Sequence, residues 1–281
     1  MKIKNSKKYF GAFLLCLFAC LLVCLCSGFS VKLPEKQGRY SASYGDDAML
    51  YSSTVTDRIE FTKRDITSIE TTKGVPLYSQ IGTYPNSCGA VAGAIVVGFY
   101  DAYYENLIPN YYPFFSNGMY KRNDLTTIPK LFGDLYTLMR TNVDDVGVSE
   151  EDCKNGLRAY VNNHGQNLSY TNVKGANNSI NESALTTAIN NNQPVLLFCD
   201  NLDLYTFGNN STYDVVVKTE FNGAHIAVAF GVYTFTYYNG NNNFRTDKYI
   251  RIATGISGMP DSYLKLESTG WCDNAFAVSV Y

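Results

Sequence analysis

Apolar and polar positions divide this chain into zones of different period. Tyr9 to Cys26 is apolar throughout. Residues 29–73 are mostly polar, and only Ile59–Phe61 and Ile66–Ile69 suggest short strands. Gly74 to Gln80 reads as extended, and Pro85, Asn86 and Ser87 supply turn and cap chemistry. Ala90 to Val97 then forms a nearly all-apolar run, the pattern of a helix buried on every side. Residues 101–123, rich in tyrosine and proline, read as a long surface excursion. Helical spacing follows in Ile128, Leu131, Phe132, Leu135 and Leu138. Ser149-Glu-Glu-Asp152 opens a further helix that stops near Asn162, and Asn181 caps another over 182–192.

From Pro194 the period changes to that of strands. Pro194–Cys199 is a short buried run, Tyr213–Thr219 alternates, and Gly223–Tyr237 is long and apolar. Asn239–Asn243 is a turn, and Lys248–Ala253 returns as a hairpin partner. Tyr263–Leu266 and Ala275–Tyr281 add two more strands. Helices first and antiparallel sheet second predict an α+β protein. Three segments result: 1–28, 29–73 and 74–281. The middle one reads as a linker, a pro-segment or a decorating hairpin.

Charge and cysteine usage narrow the function. Lys2, Lys4, Lys7 and Lys8 precede the apolar run, and Ser27 and Gly28 follow it, as in a secretory signal peptide. The run is also long enough for an uncleaved membrane anchor. A secreted or surface-anchored protein is therefore expected, with membrane contact only through this segment. Beyond residue 28 the chain has 19 basic residues against 25 acidic, net −6, and no basic block, which argues against nucleic acid as a partner. Of eight cysteines, only Cys88, Cys153, Cys199 and Cys272 lie beyond the leader, without metal-type spacing. His164 and His225 are the only histidines. No metal or organic cofactor is expected.

The candidate chemistry is that of a cysteine nucleophile. Cys88 opens the apolar helix, where the helix dipole favours a thiolate. Such a nucleophile needs a base, and His225, behind Gly223 and Ala224, is the candidate. It lies 137 residues after Cys88, within the roughly 130–150 seen between Cys and His in papain-type enzymes. The backbone N–H of Cys88 and the side-chain amide of Gln80, eight residues upstream, are candidate oxyanion donors.

Gln80, then Asn86-Ser-Cys88-Gly-Ala, then Gly223-Ala-His225-Ile-Ala-Val-Ala-Phe-Gly231 resembles the papain-like cysteine peptidases. The likeness is closest to the branch similar to bacteriocin-leader-processing, double-glycine peptidases. It spans residue 74 to about 266. It implies a helical subdomain carrying Cys88 as nucleophile, then a sheet subdomain carrying His225 as base, with Gln80 as oxyanion donor. It further implies a monomer that hydrolyses a peptide or protein through a thioester. The chain departs from the family where an Asn or Asp should orient the histidine. Thr254 stands at or beside that place, with its hydroxyl as the expected acceptor, and Asp261 is the second candidate. The rivals are another acyl-transfer enzyme on the same fold (transglutaminase-like or a cell-wall amidase) and a decayed, non-catalytic binding module.

Overall fold

The computed structural model describes residues 39–40, 51–111, 114–116, 119–121, 127–143 and 146–281. All fall within one unit, Gly38–Tyr281. The expected leader, 1–28, lies outside the described residues, as do 112–113, 117–118 and 122–123 of the expected 101–123 excursion. In chain order the elements are β1 (Arg39–Tyr40), β2 (Tyr51–Glu60), β3 (Lys63–Glu70), α1 (Cys88–Asp101), β4 (Phe114–Ser116), β5 (Met119–Lys121), α2 (Thr127–Leu138) and β6 (Val148–Ser149). After them come α3 (Glu150–Asn163), β7 (Leu168–Asn172), α4 (Glu182–Asn190), β8 (Val195–Asn209), β9 (Tyr213–Asn239), β10 (Asn242–Ala253), β11 (Asp261–Lys265) and β12 (Cys272–Val280). The protein is mixed α and β, mostly antiparallel sheet with a few helices.

Strand β9, 27 residues long, is the centre of the sheet. Its first half pairs with β2 and β8, and its second half with β3 and β10. β10 pairs in turn with β11, and β11 touches β8 through Tyr263 opposite Tyr205. The circuit β8–β9–β10–β11–β8 thus closes on itself. These strands carry an aromatic core of Tyr205, Phe207, Phe235, Tyr249 and Tyr263, packed edge-to-face and stacked. Beside it, buried Asp214 is held by Arg64 and accepts a 3.0 Å hydrogen bond from the Tyr237 hydroxyl. A buried carboxylate is tolerated only with such partners.

Helix α1 has all 14 residues buried, which explains why its sequence shows no polar face. It packs against β9 on one side and against α2 and α3 on another. Helix α3 starts as its sequence prescribes: Ser149 Oγ accepts from the Asp152 N–H at 3.1 Å. Asn181 caps α4 in the same way through the Ala184 N–H at 3.0 Å. No helix among the described residues is long and apolar enough to cross a membrane.

Several elements differ from the sequence reading. Residues 51–70 belong to the main sheet: β2 and β3 each pair with β9, on opposite edges, and not with each other. The expected decorating hairpin is therefore replaced by two strands that clasp β9 from either side. Tyr213–Thr219 and Gly223–Tyr237 are one strand, continuous through Asn222 and Gly223. β8 runs ten residues beyond Cys199, through Asp200, Asn201 and Asp203, types that strands usually avoid. β7 lies between two helices, so the strict order of helices then sheet does not hold.

The tightest interhelical approach is at Gly156 of α3, where an added Cβ would sit 2.6 Å from both N and Cα of Met139, at the end of α2. Backbone must move to admit it. Gly156→Ala is expected to cost about 1–3 kcal/mol in urea denaturation, despite the gain in helix propensity. Unchanged stability would mean that the two helices do not meet there.

Candidate functional site

The segment leading into α1 is fixed by three hydrogen bonds. The Gln80 N–H donates to the Gly255 carbonyl at 2.9 Å. Ser79 Oγ reaches the Ile256 carbonyl, and the Tyr136 hydroxyl donates to the Pro85 carbonyl at 2.9 Å. Asn86 takes φ 55°, a left-handed conformation that asparagine accepts more readily than most residues, and its side chain bonds Asn142. Ser87 stands at the N-cap, but its hydroxyl makes no cap bond. Its carbonyl accepts from the Val91 N–H at 2.9 Å, while its buried Oγ has no partner. The helix start at Cys88 is thus not closed by its own cap side chain.

His225 lies on β9 where one ladder is interrupted. On that edge β2 ends opposite Phe221 and β10 begins opposite Val228. The residues between them have no partner strand there among the described residues. The turn following β10 fills the gap. His225 Nε2 donates to the Thr254 carbonyl at 2.6 Å. A carbonyl only accepts, so Nε2 carries the proton and Nδ1 is the basic nitrogen. Nδ1 is buried and has no hydrogen-bond partner, Cys88 Sγ included. On its other side His225 stands opposite Cys199 of β8, and its ring packs on Phe221 at 5.1 Å.

The two halves meet through backbone and small residues. A Cβ at Gly89 would come 3.4 Å from Ile226, the neighbour of His225, and 3.6 Å from Cys153 Sγ. Gly255 has φ 75°, and a Cβ there would press on Val91 of α1 at 3.0 Å. A glycine is required at this point for both reasons. Gln80 is thereby tied to the residue next to Thr254. Its amide nitrogen and oxygen are both buried without partners. Gln80, Cys88 and His225 are 3 %, 1 % and 0 % exposed, so the site is closed.

The expected orienting groups need correction. The Thr254 hydroxyl does not face the imidazole: it donates to the Met259 carbonyl at 2.5 Å and accepts from the Ile256 N–H at 2.9 Å. It braces the turn, and the main-chain carbonyl of Thr254 orients His225. Asp261 is committed elsewhere, taking two hydrogen bonds from Arg251 at 3.1 and 2.8 Å. The sequence reading missed the Thr254 carbonyl because any residue supplies one. It also missed Ser87 Oγ, treated only as a cap, and the pairing of Cys199 with His225. His164 stacks on Tyr160 and lines a groove of about 400 Å³ with Lys130 and Asp134, apart from these residues.

None of the four described cysteines forms a disulfide, and all are buried. Burial pushes the thiols of Cys153 and Cys199 well up, and that of Cys272 to about 12. These three are held as neutral thiols at pH 7. No protein-family model, curated protein or solved structure matches the chain.

Burial lowers the His225 pKa to about 4, against which the Thr254 carbonyl acts weakly. The folded state therefore holds His225 neutral, while the unfolded chain protonates it below about 6.5. Its contribution to stability is complete above pH 6.5 and is lost as the pH falls toward 4. Denaturant titrations at pH 7 and pH 4.5 should show this loss, of order 2–3 kcal/mol. The loss should shrink in His225→Phe, and an equal loss in that variant would place the titrating group elsewhere.

Proposed function

We propose that the chain is a cysteine peptidase of papain-like fold, secreted or held at the cell surface, acting on a peptide or protein. One observation carries this reading: of the seven buried side-chain polar atoms without partners among the described residues, four belong to the segments that converge on the start of α1. They are the Gln80 amide, the Ser87 hydroxyl and Nδ1 of His225. Buried polar groups are rarely left unpaired without a reason, and a bound substrate would satisfy them.

In the proposed reaction Nδ1 accepts the Cys88 thiol proton, and the thiolate attacks the scissile carbonyl. The oxyanion takes hydrogen bonds from the Cys88 N–H and the Gln80 amide. The imidazolium protonates the leaving amine, and the same nitrogen then activates the water that hydrolyses the thioester. The thiol and Nδ1 come within hydrogen-bonding reach when substrate opens the closed site and draws them together.

One observation favours a second reading. The site is buried, and no hydrogen bond joins Cys88 to Nδ1. A decayed peptidase scaffold serving as a binding module would have both features.

Limiting alkylation with iodoacetamide at pH 7, followed by peptide mass spectrometry, separates the two. Cys88 should label first, because burial keeps Cys153, Cys199 and Cys272 protonated. Uniform, slow labelling of all four would favour the module. Turnover is followed with a fluorogenic peptide library. Cys88→Ala should abolish cleavage, and Gln80→Ala should lower kcat by roughly 10²–10³ with little change in KM. An unchanged kcat in Gln80→Ala would remove the glutamine from the oxyanion site.

A further inference from the structure

The structure assigns Cys199 and Cys272 as a dithiol that closes to a cross-strand disulfide on reaction with a low-molecular-weight disulfide. The inference does not depend on the proposed activity. The two residues stand directly opposite each other on β8 and β12. The hydrogen bonds fix which kind of pair they form. The Asp200 N–H donates to the Trp271 carbonyl at 2.9 Å, and the Cys272 N–H is used elsewhere, on the Asn178 carbonyl at 3.1 Å. Bonds that run one residue outside the pair mark a non-hydrogen-bonded position, where opposed Cα atoms lie about 4.5 Å apart and side chains are closest. A disulfide spans Cα separations of roughly 4.4–6.8 Å. Both residues are fully buried.

Burial says when the bond forms. Cys272 lies 73 residues after Cys199, so the two meet only once β12 pairs with β8. In the finished protein both thiols are buried and protonated, and exchange there is slow. During folding one thiolate attacks the small disulfide, forming a mixed disulfide and releasing one small thiol. The second thiolate attacks the protein-side sulfur and expels the remaining thiol. Two protein thiols are oxidised, one small disulfide is reduced to two thiols, and no other oxidant is needed. The burial that slows formation in the folded state also protects the finished bond from reductant. Cys88 and Cys153 remain thiols.

The test is refolding of the full chain from denaturant, with glutathione disulfide or with excess reduced glutathione. Intact mass and non-reduced peptide maps are read after blocking free thiols. Whatever the four leader cysteines form, the peptide map should contain a Cys199–Cys272 linked peptide lighter by two hydrogens than its two reduced halves together. Its thermal midpoint should lie roughly 5–15 °C above that of the reduced form, because the bond closes a long loop. Cys272→Ser should lose that linked peptide. Should that variant fail to fold, the double variant Cys88→Ala, Cys153→Ala retains only this pair beyond the leader and should still form the bond. Free thiols at 199 and 272 after oxidative refolding, or a bridge mapped to Cys88 or Cys153, would overturn the assignment.

Discussion

The pairing of β9 on both edges is the constraint from which the rest of the structure follows. β2 and then β10 occupy one edge, and β8 and then β3 occupy the other. The first edge has a gap between Phe221 and Val228, and His225 lies within it. A continuous ladder there would have placed another strand where the Thr254–Ile256 turn now stands. The gap admits that turn, and the turn brings the carbonyl that holds the imidazole and the carbonyl that holds Gln80. Helix α1 approaches the same gap through Gly89 and Val91. The candidate site is therefore a product of where two partner strands stop.

This arrangement has an energetic consequence. Each buried polar group left unpaired costs about 1–3 kcal/mol, a large share of the 5–15 kcal/mol by which a domain is typically stable. Gln80, Ser87 and His225 all carry such atoms, and all belong to the segments that meet at the start of α1. Replacing them by apolar residues would relieve the cost without disturbing the pairing of β9. That the sequence keeps glutamine, serine and histidine there is best understood if something else satisfies them part of the time. Thr71, Thr141 and Ser262 carry such atoms elsewhere, but only at Gln80, Ser87 and His225 do they belong to segments that converge on one helix start.

Much of this was legible in the sequence, and the exceptions have identifiable causes. Helix α1 was readable because a run such as Ala90 to Val97 has no polar face to confuse. The caps at Ser149 and Asn181 were readable because a side-chain oxygen ahead of an apolar period has few other uses. The extension of β8 was hidden by Asp200, Asn201 and Asp203: Asp200 and Asp203 are held by pairing with β9, and Asn201, at φ 53°, is the residue skipped where the register shifts. The union of two expected strands into β9 was hidden by Asn222-Gly223, which local chemistry reads as a turn. At the site, Gln80, Cys88 and His225 were identifiable as residue types. The group that orients His225 was not, because it is a main-chain carbonyl whose position depends on the turn that carries it.

That substitution of a carbonyl for a carboxylate changes how the proposed chemistry would run. A carboxylate fixes the tautomer and also stabilises the imidazolium. The Thr254 carbonyl fixes the tautomer equally well but carries no net charge. Burial, which the carbonyl only partly offsets, leaves His225 neutral down to about pH 4. A resting imidazolium is therefore disfavoured, and the ring is neutral at rest. Charge would separate only as the oxyanion develops, when the Cys88 N–H and the Gln80 amide supply the stabilisation that the ring's partner does not. Thr254 would then act through position alone, its hydroxyl bracing the turn through Met259 and Ile256 so that the carbonyl stays aligned. A site built in this way would draw the reactivity of Cys88 from the helix start and leave the Thr254 carbonyl to set the tautomer of His225.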